Sequence, residues 1–147
     1  MIAVDTNILI YAHRGDSPFH GAAVEAMDAL ASSGKPWCVV WQCAHEFISI
    51  VTNPKIYRPA SSIDECLSEI ENWRTCPTFR WIAEGSTHWK TLEKLVREGR
   101  VTGGLVHDAR IAAVCIQNGV ETLWSVDRDF SRFPALRVAN PLVPLSQ

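Results

Sequence analysis

The sequence predicts an α/β fold, a three-layer α/β/α sandwich around a central, mainly parallel sheet. Three observations predict it. Short apolar runs recur at residues 2–5, 37–40, 79–83, 123–126 and 136–139. Between most of them lie longer stretches with apolar residues three and four apart, the helical spacing. Glycine, proline and asparagine separate the two kinds of segment, at Ser33-Gly34-Lys35-Pro36, Asn53-Pro54, Gly99 and Gly119. Strands that alternate with helices pair in parallel, with helices covering both faces.

The elements follow in order. Ile2, Ala3 and Val4 open a buried strand, which runs into Asp5 and then into a second apolar run from Ile8 to Ala12. Residues 19–32 form a helix whose Phe19, Ala23, Ala26, Met27 and Leu30 share one face. WCVV at 37–40 is the second strand. The helix over 42–52 carries Ala44, Phe47, Ile48 and Val51 toward the core, and Asn53-Pro54 stops it. Residues 63–73 are amphipathic, with Ile63, Cys66, Leu67, Ile70 and Trp73 opposite the acids. FRWIA at 79–83 is a strand. A helix over 87–98 ends at Gly99 as its C-cap. Gly103-Gly104 reads as a hinge-like loop before the most apolar helix, 105–118. LWSV at 123–126 and LRVA at 136–139 complete the sheet. Of six tryptophans, Trp37, Trp41, Trp73 and Trp124 fit core faces, while Trp81 and Trp89 are open between core packing and stacking on a base.

The length of 147 residues suits a single domain, 1–147, with a real core. No apolar run approaches the ~20 residues a membrane helix needs, so no membrane association is expected. No basic segment leads into an apolar one at the start, so no secretory signal is expected. Five cysteines, an odd number without a CxxC, suggest neither a disulfide framework nor a zinc knuckle. They read as buried, reduced thiols of a cytoplasmic protein. The net charge of −2 offers no global basic field for nucleic acid. Any RNA or DNA must be held through local basic groups or bound cations.

Of the sixteen acids, Glu25, Asp28, Glu65, Glu69, Glu71, Glu93 and Glu98 lie on polar helix faces, and Asp16 reads as a turn residue. Four others are out of place. Asp5 ends a buried strand, Glu46 interrupts a mostly apolar helix, Asp108 sits in the most apolar helix, and Asp127 follows LWSV. Each has a structural explanation of its own. Asp5 could cap the next helix. Asp127 could begin a turn, Glu46 could reach solvent, and Asp108 could pair with Arg110, although helix neighbours two apart do not face each other. A shared partner explains all four together. Ligands of parallel sheets sit at the carboxyl ends of the strands, where Asp5 and Asp127 stand. Two carboxylates ~4 Å apart at an effective dielectric of ~20 repel by about 4 kcal/mol, so such a cluster needs a cation or a proton. Oxygen ligands select Mg²⁺ or Mn²⁺. His45 and His107 adjoin Glu46 and Asp108 but point elsewhere on their helices.

The order and context of these acids resemble the PIN domain, in particular VapC-type toxin ribonucleases. The matching stretches are V-D-T-N-I-L at 4–9, H-E-F at 45–47, H-D-A-R-I-A-A at 107–113, S-V-D-R-D-F at 125–130 and R-V-A-N-P-L at 137–142. They span nearly the whole chain. The resemblance implies that Asp5, Glu46, Asp108 and Asp127 are the catalytic, metal-binding acids, holding one or two Mg²⁺ or Mn²⁺ ions. It implies that Asn7, Ser125 and Asp129 support them. The family usually has threonine where Ser125 stands, and serine keeps the hydroxyl. The implied activity is endoribonuclease cleavage by in-line attack of a metal-activated water, leaving 5′-phosphate and 3′-hydroxyl ends. Arg110 and Arg128 adjoin site acids and are candidates for RNA phosphate contact. The resemblance further implies a small antitoxin partner and a homodimer. Ile63, Leu67 and Ile70 form a helix face that could be shared.

Two other folds place an acid after the first strand. A haloacid-dehalogenase-type phosphatase needs a second aspartate where Asn7 stands. A response-regulator receiver needs an acidic pair at that strand end and a late lysine, and neither is present. A catalytically silent PIN-fold protein that binds RNA or an antitoxin without cutting is the remaining alternative.

Overall fold

The computed structural model describes residues 1–144, so 145–147 of the expected 1–147 domain lie outside the described residues. The chain runs β1 (Ile2–Val4), α1 (Thr6–His13), α2 (His20–Ser32), β2 (Trp37–Val40), α3 (Trp41–Val51), α4 (Ile63–Thr75), β3 (Phe79–Ile82), α5 (His88–Glu98), α6 (Val106–Gln117), β4 (Thr122–Trp124) and β5 (Arg137–Ala139). Among the described residues the five strands form one sheet in the order β3-β2-β1-β4-β5, with every pairing parallel. The helices flank it in a three-layer α/β/α sandwich.

Chain order and strand order together locate the working edge. From β1 the chain steps outward to β2 and β3. It then crosses back over the sheet to place β4 on the other side of β1, followed by β5. The direction reverses at β1, and a crevice opens outside the carboxyl ends of strands at such a reversal. Asp5 follows β1 directly, and Ser125 to Asp127 follow β4. The register brings Val4 beside Trp124, and the Asp5 N–H donates to the Trp124 carbonyl (2.9 Å).

The core forms because β2 is buried at every position and α6 buries an unbroken run from Ile111 to Cys115. Phe47, Ile8, Leu9 and Leu123 fill the layers on the sheet. The α4 helix is started by a capping box: the Ser62 hydroxyl accepts from the Glu65 N–H, and the Glu65 carboxylate accepts from the Ser62 N–H.

Several expectations change. The strands expected over 2–5 and 123–126 stop at Val4 and Trp124, because Asp5 and Ser125 turn the chain. Gly99 is the C-cap of α5, as expected, but with a helical φ of −82°; the left-handed residue is Arg100, with φ of 49°. Position 99 is tightly enclosed. A Cβ there would meet the Leu95 carbonyl oxygen at 3.0 Å and Phe133 at 3.2 Å. Gly103-Gly104 forms a single 3₁₀ turn (Gly103–Leu105) leading into α6, in place of an open hinge. Trp37 and Trp73 are core residues and Trp124 is half-buried, but Trp41 is 43 % exposed. It is the first residue of α3, and its ring stacks on Trp81 of β3. Ile63 and Leu67, on the apolar side of α4, are exposed while Cys66 and Trp73 are buried, so that stripe is only half covered.

Candidate active site

Four separate segments deliver acids to the crevice: the end of β1, the middle of α3, the first turn of α6 and the turn after β4. Asp5 is the most buried of them, at 5 % exposure. One carboxylate oxygen, Oδ1, accepts from the Thr6 N–H (2.8 Å) and from the Cys43 thiol (3.6 Å). The other, Oδ2, accepts from the Ser125 hydroxyl (2.6 Å) and the Asn7 amide (3.3 Å). Burial pushes the Asp5 carboxyl upward. The hydrogen bonds from Ser125, Thr6 and Cys43 oppose that shift, and the Glu46 charge adds to it.

Ser125 is the hinge pin of this arrangement. Its Oγ donates to Asp5 and accepts from the Asn7 amide (3.2 Å) and the Asp127 N–H (3.0 Å). Asn7 in turn accepts from the Val126 N–H (3.3 Å). One serine and one asparagine thus tie the β1 end to the β4 end.

Glu46 is half-buried, and both its carboxylate oxygens are held within the site. Its Oε2 accepts from the Thr6 hydroxyl (2.8 Å) and its Oε1 from the Gln42 amide (3.2 Å). The same Gln42 nitrogen also reaches the His107 carbonyl (3.4 Å), linking α3 to the start of α6. Gln42 Oε1 is buried without a protein partner.

Asp108, Asp127 and Asp129 bring one carboxylate oxygen each within 4.8 Å of one another. The Asp108 carboxyl is pushed up to about 6, first by burial and then by the charges of Asp127, Asp5, Asp129 and Glu46. Asp127 also caps the 3₁₀ turn Arg128–Arg132, accepting from the Asp129 N–H (2.9 Å). Capping and clustering are therefore compatible: Asp127 does both, while Asp5 caps α1. Arg110 does not serve Asp108. It pairs with Glu84, just after β3. Arg128 lies exposed on the turn beside Asp127. His45 and His107 are exposed.

Of the sequence-picked acids, Asp108 and Asp127 come together, with Asp129 inside the same tight triplet; Asp5 and Glu46 stand outside that triplet, near enough for their charges to act on Asp108, and Asn7 and Ser125 are bonded to Asp5. Sequence reading missed Thr6, Gln42 and Cys43, which hold Asp5 and Glu46. Gln42 had a signal: it lies one helical turn before Glu46 on the same face. The donor set is all carboxylate oxygen around a deficit of positive charge. That chemistry fits a hard divalent cation such as Mg²⁺ or Mn²⁺.

A family model describing the PIN domain matches residues 2–136. Ribonuclease VapC31 of Mycobacterium tuberculosis is 32 % identical over 144 residues, which cover 96 % of this chain and 99 % of that one. The fold is similar to that of M. tuberculosis VapC20, described as a sarcin-ricin loop cleaving toxin, with a TM-score of 0.64 at 20 % identity over 89 % of this chain and 93 % of that one. A toxin-antitoxin complex from Klebsiella pneumoniae matches with a TM-score of 0.62 at 21 % identity, over 96 % and 98 % of the two chains.

Proposed function

The chain belongs to the PIN domain family, and from that premise we propose that it is a Mg²⁺- or Mn²⁺-dependent endoribonuclease, the toxin of a toxin–antitoxin pair. The observation that carries this reading is the convergence of Asp108, Asp127 and Asp129 within 4.8 Å, beside the buried, hydrogen-bonded Asp5. The ribonuclease name of a relative at 32 % identity supports the reaction. The toxin-antitoxin complex among the similar folds supports a small inhibitory protein partner. The exposed Ile63 and Leu67 are consistent with a homodimer, and the free thiols of the chain suit a reducing cytoplasm. No helix of the described residues is long and apolar enough to cross a membrane. No observation favours the non-cutting alternative.

Asp108, Asp127 and Asp5 would hold the cation, with Glu46 and Asp129 adding charge around it. When bound, a divalent cation supplies activation of a water and neutralisation of charge at the phosphate. The protein's own part is positioning. Ser125 and Asn7 clamp the Asp5 and Asp127 segments to each other, so both acids keep one geometry. Thr6 places Glu46 against the same centre. Without a cation, Asp108 holds a proton up to about pH 6, which relieves the repulsion inside the cluster. Arg128 stands where it can meet an RNA phosphate, while Arg110 must first leave Glu84 to do so.

Calorimetric titration with Mn²⁺, paired with an RNA cleavage assay on the same samples, tests the reading in wild type and Asp108→Asn. Binding and cleavage that both weaken in the variant support it. Wild-type protein that binds no Mn²⁺, even with RNA present, overturns the metal site.

A further inference from the structure

Trp41 breaks the rule that large aromatic side chains go inside. It lies flat on Trp81, with ring centroids 3.9 Å apart and planes within 10°, yet remains 43 % exposed. The stack beneath it is braced. Trp81 meets Phe79 edge-on (4.9 Å, 84°), and Phe79 meets the buried Trp37 (4.8 Å, 64°). The exposed His45 ring, one helical turn along, lies 6.2 Å from the Trp41 ring. Sequence and fold together place this surface. Gln42 and Glu46 form the stripe of α3 that faces the acids, and Trp41 and His45 form the neighbouring stripe one residue back. Trp41 directly follows β2, so the platform stands at the carboxyl ends of the strands, the same edge of the sheet from which Asp5 and Asp127 emerge.

Resting on the ribonuclease reading, we propose that Trp41, backed by Trp81 and flanked by His45, is a stacking platform for an unpaired base of the RNA strand adjoining the acid cluster. The charge balance of the chain makes such a surface useful. With a net charge of −2 and a site made of carboxylates, long-range attraction of RNA is weak. Stacking is short-ranged, tolerant of sequence and independent of charge. An indole already braced from below loses little freedom when a base settles on it. The platform requires a flipped or single-stranded base, because the bases of a duplex are already stacked on each other.

The test is fluorescence anisotropy with a fluorescein-labelled, unstructured single-stranded RNA, in the Asp108→Asn background so that the probe is not cut. Trp41→Ala is expected to raise Kd about tenfold, the worth of one stacked base. Trp41→Phe should restore most of the affinity, and a matched RNA duplex should bind no differently to the two proteins. A second arm leaves Trp41 intact and replaces the bases of the probe with abasic sites, which should weaken binding by a similar factor. Equal Kd values for Trp41 and Trp41→Ala, or abasic RNA bound as tightly as the parent, overturn the platform. So does a Trp41→Ala variant that loses only self-association or capture of a protein. The ribonuclease reading is judged separately, by whether wild-type protein cleaves RNA and Asp5→Asn does not.

Discussion

The two sides of the first turns of α6 carry opposite electrostatics. Asp108 faces four other carboxylates, and its carboxyl is pushed up to about 6. Two residues later, Arg110 faces away and bonds Glu84, whose carboxyl it pulls below the usual range. The cation nearest Asp108 in sequence is thus spent on a different acid. Residues two apart on a helix diverge by about 200°, so the separation follows from helix geometry alone. A cluster meant only to be stable would have recruited Arg110. The fold instead concentrates negative charge on one side of α6 and settles ordinary ion pairing on the other. Strong perturbation of a carboxylate in a crevice, away from any structural cation, is the physical mark of a functional site.

The sharpest way to break this contrast is substitution on each side. Asp108→Asn is expected to cut RNA cleavage by about a hundredfold or more, the scale of losing one group that stabilises transition-state charge. Gel-resolved cleavage rates check it, and near-wild-type rates would remove Asp108 from the site. Ser125→Ala should come next. It leaves the buried Asp5 oxygen without its 2.6 Å donor and the Asp127 N–H without an acceptor. Urea unfolding in EDTA should show a loss of about 1–3 kcal/mol, while Ser125→Thr keeps the hydroxyl and most of the stability. An unchanged Ser125→Ala midpoint would mean that the clamp between β1 and β4 is ornamental.

The charge strain itself has a pH signature. The folded Asp108 carboxyl titrates at about 6 against 3.8 for the ordinary group. The native state therefore binds more protons than the unfolded state between those values, and metal-free stability falls as pH rises from about 4 to about 6. Because Asp108 is only partly buried, screening reduces the contribution to about 1 kcal/mol. Thermal unfolding in EDTA across that window should show the fall, and saturating Mn²⁺ should abolish it. A flat metal-free profile would contradict the crowding. The smallest effect belongs to the paired side. Glu84→Gln breaks a partly exposed ion pair and should cost about 0.5 kcal/mol or less, with cleavage within about twofold of wild type. The freed Arg110 should not lower the Asp108 titration midpoint measured by NMR, because its side chain leaves the helix in another direction.

The sequence made the skeleton of this molecule readable because burial leaves a periodic trace. β2 is apolar at every position and α6 through the run Ile111–Ile116, and both elements form within a residue of their expected limits. The acids were readable for the opposite reason: Asp5 and Asp108 violate the apolar pattern around them. What escaped was whatever depends on contacts across the chain. The Thr6 hydroxyl reaches Glu46, forty positions away, and no local pattern announces it. Trp41 continues the apolar run of β2 in sequence, but the strand ends at Val40 and the next residue starts a helix. The α4 stripe shows the limit of periodicity, since spacing puts Ile63 and Leu67 on the side of Cys66 and Trp73 without saying what covers them.

The return crossing of the chain has a consequence for the timing of synthesis. Asp5 and Glu46 are made early, Asp108 two-thirds of the way along, and Asp127 and Asp129 close to the end. The central strand β1 gains its second neighbour only when β4 arrives. A nascent chain therefore carries scattered carboxylates until β4 and the turn after it have been made. Premature termination, internal proteolysis or failure of β4 to dock leaves fragments without an assembled site. The topology acts as an interlock: the acids come together only in a chain that has been made through β4 and has folded.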